Sequence, residues 1–129
     1  AKKLEERCAL KQQNINVLIQ VNLSQEKSKF GVQKLSELYQ LAEKLHAGHW
    51  IKLRGLMTIP EPDLGEASTR KIFEKLRMWR DHLQKELCAP EINELSMGMT
   101  ADFQWAIQEG ATMIRLGTAI FGQRYNVSV

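Results

Sequence analysis

Apolar and polar positions switch period repeatedly along the chain. Residues 2–12 form a charged amphipathic stretch and predict a helix. Asn16-Val17-Leu18-Ile19-Gln20-Val21-Asn22 is a short, β-branched apolar run, the pattern of a buried strand. Val32, Leu35, Leu38, Ala42 and Leu45 then recur at helical spacing, with Gly48 as the expected stop. IKLRGLMTI, Ile51 to Ile59, predicts a second strand, ended by Pro60 and Pro62. After the loop EPDLGE, the positions Ile72, Leu76, Trp79, Leu83 and Leu87 define a long amphipathic helix that stops near Pro90. ELSMGM, Glu94 to Met99, predicts a third strand. Thr100-Ala101-Asp102 opens a helix running to about Glu109, with Thr100 or Ser96 as its N-cap and Gly110 as its end. TMIRLG predicts a fourth strand, and Thr118 to Gly122 a short helical turn.

Strands that alternate with helices argue for an α/β fold with a parallel sheet. The pattern allows two closures, an open doubly wound sheet or part of a (β/α) barrel. A full barrel takes roughly 250 residues, and a chain of 129 supplies about half of one. That length predicts one domain, residues 1–129. The chain opens without Met and inside a helix, as expected for a piece of a longer polypeptide.

Composition narrows the function classes. Hydrophobic residues at 43% and charged residues at 26% make an ordinary globular balance and argue against disorder. No apolar run approaches the roughly 20 residues of a membrane span, and the opening AKKLEERC is no secretory signal. Cys8 and Cys88 are too few and too far apart for a disulfide framework, so both are expected to be free thiols in a cytoplasmic protein. The net charge of +3 comes from interleaved Lys and Glu, a solvated face rather than a nucleic-acid stripe.

In parallel α/β folds, ligands bind at the carboxyl ends of the strands. Those ends carry Asn22-Leu23-Ser24, Met57-Thr58-Ile59, Ser96-Met97-Gly98-Met99, and Arg115 with Gly117-Thr118. The last two lead into helix starts, whose unpaired N–H groups suit a phosphate or sulfate. Ser96-Met97-Gly98 and Gly117-Thr118 either grip one such anion between them or simply cap helices and permit turns. Arg115 is stranger, because a full charge inside a strand is costly unless it is paired or points at a ligand. A salt bridge to a neighbouring acid and a ligand contact are both open at this point.

The stretches VLIQVNLSQEKSKFG, LRGLMTIP, LSMGMTADFQWAI and GATMIRLGTAIFG closely resemble the pyridoxal-phosphate homeostasis proteins. These are relatives of the N-terminal barrel domain of alanine racemase. The resemblance runs from about Asn14 to Arg124, and four ordered motifs make it specific. It implies the C-terminal half of a (β/α)8 TIM-type barrel, with four parallel strands, that binds pyridoxal 5′-phosphate (PLP). It implies that Arg115 faces the pyridine nitrogen, that Ser96, Gly117 and Thr118 with nearby amides of Met97 and Gly98 hold the phosphate, and that Met57 lies close to the ring. A guanidinium stays protonated and donates. Opposite the ring nitrogen it keeps the pyridine neutral and a weak electron sink, which suits carrying PLP better than transforming amino acids.

The family's PLP-bearing lysine belongs to a strand before Asn14. Lys27 and Lys29, in SQEKSKFG, do not match it, although Lys29 matches a lysine often found in that loop. The expected function is therefore non-catalytic: binding and buffering PLP and delivering it to PLP-dependent acceptor enzymes, without a covalent anchor in this stretch. An amino-acid racemase is the enzymatic rival, and an inert folded remnant the third reading. A racemase needs a base on the opposite cofactor face, typically a Tyr, and only Tyr39 and Tyr125 are present. Two unpaired sheet edges predict a homo-oligomer or association with the N-terminal half of the barrel. His46 and His49 lack companion ligands at metal spacing, so no metal is expected. EPDLGE reads as a solvated loop, and Trp50, Trp79 and Trp105 as core or interface.

Overall fold

The computed structural model describes residues 2–24 and 30–122. Lys27, Lys29, Arg124 and Tyr125 lie outside them. The elements run α1 (Lys2–Lys11), β1 (Ile15–Gln20), α2 (Leu35–His46), β2 (Ile51–Met57), α3 (Glu66–Glu86), β3 (Glu94–Met99), α4 (Phe103–Gln108), β4 (Met113–Arg115) and α5 (Thr118–Phe121). The strands form one sheet in the order β1-β2-β3-β4, and each neighbouring pair is parallel. Parallel crossovers are almost always right-handed. When each crossover also moves to the next strand in the same direction, every helix lands on one face. The sheet is therefore singly wound, as in a barrel wall, and the doubly wound alternative fails.

Period-2 alternation sorts the side chains between the two faces. Val17 and Ile19 stand in register with Leu53 and Leu56, and Leu56 with Leu95. With Met97 they meet Leu38, Phe73, Leu76 and Leu83 from the helices in one buried core. The opposite face carries Asn16, Lys52, Arg54 and Glu94, with Leu18, Gln20, Met57, Ser96 and Met113. A cleft of about 570 Å³ opens on it between Asn16, Arg54, Glu94 and Met113.

Element ends differ from the pattern reading by a few residues. β2 stops at Met57, because Thr58 turns its hydroxyl to the Val21 carbonyl of the neighbouring chain segment at 2.8 Å. β1 stops at Gln20, although Val21 still bridges to Val32. Helix α2 ends on Ala47 in right-handed conformation, so Gly48 is not its left-handed cap. A Cβ at Gly48 would instead crowd Glu5 Oε2 at 3.1 Å. The Glu5 carboxylate accepts from the backbone N–H groups of His49 and Trp50 at 2.8 Å and of Ile51 at 3.1 Å, which ties α1 to the start of β2. Glu109, at the end of α4, receives Arg70 at 2.8 Å and Arg77 at 3.2 Å, and Arg77 also donates to the Glu109 carbonyl. These bonds lock α4 against α3. Both cysteines are free, Cys8 buried and Cys88 exposed.

The tightest point of the sheet is Gly55, at the irregularity where Val17 pairs with Leu53 and Leu18 with Gly55. A Cβ there would lie far inside contact distance of the Glu94 carbonyl oxygen, a backbone atom that cannot swing away. Gly55→Ala should lower stability by about 3 kcal/mol or more, read from the urea midpoint or as loss of soluble protein. A variant within about 1 kcal/mol of wild type would contradict this close approach.

Candidate site at the carboxyl ends of the strands

Parallel pairing brings the ends of β2, β3 and β4 to one rim. Met57 is in register with Ser96, and Met99 with Arg115. From β4, Arg115 reaches back across the sheet. Its Nη1 donates to Ser96 Oγ at 2.6 Å, and its Nη2 donates to the Thr58 carbonyl at 2.9 Å. Thr58 N–H in turn donates to the Ser96 carbonyl at 3.1 Å. Arg115, Ser96 and Thr58 thus close a ring of hydrogen bonds over three strands.

The salt-bridge reading of Arg115 is corrected. Among the described residues no carboxylate lies within ion-pair distance of it. Burial lowers its pKa from the ordinary guanidinium value, and the more distant charge of Asp102 opposes that shift. Among the described residues two neutral oxygens occupy two of its five N–H donors and no other partner is found for this half-buried cation.

Ser96 is only 5% exposed and sits inside β3, so it cannot cap α4. Asp102 holds the N-cap position of α4, without a side-chain cap bond; its carboxylate accepts instead from Met99 N–H at 2.7 Å. Thr100 does not cap α4 either. Its hydroxyl accepts from Ala119 N–H at 3.3 Å and ties the β3–α4 loop to α5. Thr118 is exposed and begins α5, with Gly117 before it and no side-chain cap. The N–H groups of Gly117 and Thr118 have no acceptor among the described residues, and a Cβ on Gly117 would meet nothing within 4 Å.

Two expected residues also serve the packing of the fold. Met97 is fully buried in the helix-side core, because alternation points it away from Ser96. Only its backbone belongs to the rim. Gly98 has φ +94, and a Cβ there would lie 2.6 Å from Ala106 Cβ and 3.0 Å from Phe103 Cα, so glycine lets α4 pack on β3. Met57 is partly buried at the end of β2, on the bare face beside Ser96.

Thr58 is the residue that pattern reading passed over. It is 1% exposed and acts through its carbonyl, which no side-chain pattern records. Tyr39, by contrast, is far from this chemistry. It lies on α2, where burial, then Glu43 and Glu86, raise its pKa. His46 faces Glu91 at 3.6 Å and His49 packs edge-on against Trp50. Among the described residues no cluster of three His, Cys, Asp or Glu is arranged to hold a metal, and no helix is long and apolar enough to cross a membrane.

The profile of the family described as alanine racemase, N-terminal domain, matches residues 1–125. A pyridoxal phosphate homeostasis protein of Haemophilus influenzae is 42% identical over 124 residues, 96% of this chain and 52% of that protein. One from Pasteurella multocida is 44% identical over 110 residues, 85% of this chain and 47% of that protein. The chain thus spans about half the length of these relatives. PipY of Synechococcus elongatus, solved without PLP, superposes with a TM-score of 0.86 at 31% identity, over 93% of this chain and 55% of PipY. The same protein with PLP bound gives 0.84 at 30% identity, over 94% and 55%.

A cation held only by neutral oxygens contributes little to the ligand-free fold, since its burial offsets its hydrogen bonds. Arg115→Met should therefore change unfolding free energy by no more than about 1 kcal/mol, measured by urea denaturation. A loss above about 3 kcal/mol would make Arg115 a structural strut instead.

Proposed function

The chain belongs to the alanine racemase N-terminal domain family, and from that premise we propose that it binds pyridoxal 5′-phosphate at the rim formed by β2, β3 and β4. The observation that carries the proposal is Arg115, a half-buried cation whose partners among the described residues are two neutral oxygens. Arg115 donates to the pyridine nitrogen. The N–H groups of Gly117 and Thr118, the Thr118 hydroxyl and the amides of Met97 and Gly98 hold the phosphate beside Ser96, and Met57 flanks the ring. Gly117 and Thr118 are exposed, so their N–H groups are open to a phosphate from solvent. The homeostasis proteins among the relatives, and PipY with its PLP, support this choice of ligand.

The bound cofactor supplies an electron-withdrawing ring. A guanidinium at its nitrogen withholds the proton that would strengthen that pull. The function we favour is accordingly non-catalytic: the protein holds PLP, buffers it in the cytoplasm and hands it to PLP-dependent acceptor enzymes. Against the racemase reading, Tyr39 sits in the helical layer near Glu43 and Glu86 rather than at the rim. We further propose that these four strands are the C-terminal half of a (β/α)8 barrel. The bare face with Arg54 and Glu94 then closes against the other half, or against a second copy of this chain.

Isothermal titration with PLP tests the binding claim. Wild type should bind, and Arg115→Ala should weaken binding about tenfold or more, the equivalent of 1.4 kcal/mol. Equal affinities, or no heat with wild type, would refute it. Borohydride reduction with PLP, followed by peptide mapping, should find no stoichiometrically labelled lysine in this chain. Specific labelling of Lys27 or Lys29 would show a covalent anchor there.

A further inference from the structure

Thr58 makes three hydrogen bonds at the rim, each to a different strand or its extension. Its hydroxyl donates to the Val21 carbonyl at 2.8 Å, its N–H to the Ser96 carbonyl at 3.1 Å, and its carbonyl accepts Arg115 Nη2 at 2.9 Å. It is almost wholly buried, so water does not compete for these groups. Val21 is fixed in its turn, because its N–H donates to the Met57 carbonyl at 2.8 Å. The carbonyl that orients the arginine therefore belongs to a residue anchored from both sides. Arg115 has several rotatable bonds and no carboxylate to orient it among the described residues. Its aim depends on the two oxygens that hold it.

We infer that Thr58 is a positioning residue, whose hydroxyl anchor on Val21 sets the Thr58 carbonyl and through it the direction of the Arg115 guanidinium. The ligand arm of this inference rests on the PLP reading above; the geometric arm does not. Thr58→Val keeps the shape and deletes the anchor. Thr58→Ser keeps the anchor.

The probe is pyridoxine 5′-phosphate, which carries ring and phosphate but no aldehyde to react with surface lysines. In titrations of the full chain, Thr58→Val should weaken this probe about tenfold, and Thr58→Ser should stay within about twofold of wild type. In an Arg115→Ala background Thr58→Val should cost less than about twofold, because the two residues act as one unit. The affinity for inorganic phosphate alone should not move. Equal losses in both backgrounds, or equal losses for the probe and for inorganic phosphate, would overturn the inference and leave Thr58 a purely structural residue.

The ¹⁵N–¹H spectrum of the unliganded protein supplies the independent arm. The Arg115 side-chain signals should be resolved and protected from exchange in wild type and Thr58→Ser, and broadened or lost in Thr58→Val. If wild type fails to bind the probe while this pattern holds, the PLP reading fails and the positioning role stands. If Thr58→Val does not fold, loss of protection in Thr58→Ser would overturn the inference, and retained protection would support it.

Discussion

Parallel pairing of four strands in chain order is the constraint on which the other features depend. Each strand must return to the same end before the next begins, so each is followed by a helix or a long loop. Right-handed return in one direction puts those helices on one face. The core then forms between that face and the helices, around Leu56, Leu95, Met97, Phe73 and Leu76. The same constraint gathers every strand's carboxyl end at one rim. Arg115, Ser96 and Thr58 are 57 residues apart at the extremes, yet they share one hydrogen-bonded ring. No local motif could have assembled it.

The rim shows how a charge can be kept inside a sheet end without being neutralised. A carboxylate partner would satisfy Arg115 and also consume its field. A hydroxyl and a carbonyl satisfy its direction and leave its charge. The arrangement costs the empty protein some burial of that charge, an expense typical of sites built for a ligand. Beside it, the N–H groups of Gly117 and Thr118 have no acceptors among the described residues. Arg54 donates to Asn16 at 2.9 Å and Glu94 accepts from Thr112, so these two charges also have neutral partners.

Much of this was legible in the residues. Alternating periods point to four strands, four helices with a final helical turn, and a parallel sheet, and the strand-end rule singles out Arg115 and Ser96. What escaped has physical reasons. The Met97 side chain lies in the core, since a strand sends neighbours to opposite faces. Ser96 and Thr100 looked like caps because hydroxyls often are; here one accepts from an arginine and the other from a later helix. Gly48 and Gly98 also make room for close packing, against Glu5 and α4, which no sequence pattern records. Thr58 was collected as a strand-end residue and given no role, since a carbonyl looks the same in every sequence.

The central claim is that one ligand site spans the ends of β3 and β4. Amide chemical shifts during titration of the ¹⁵N-labelled chain with PLP, followed together with the ³¹P signal of the ligand, test it most directly. The account predicts shifts concentrated at Gly98, Gly117, Thr118 and the Arg115 side chain, with a ³¹P change that saturates at one equivalent. Shifts centred on Arg54 and Glu94 at the other half of the bare face, or scattered over surface lysines without saturation, would contradict it.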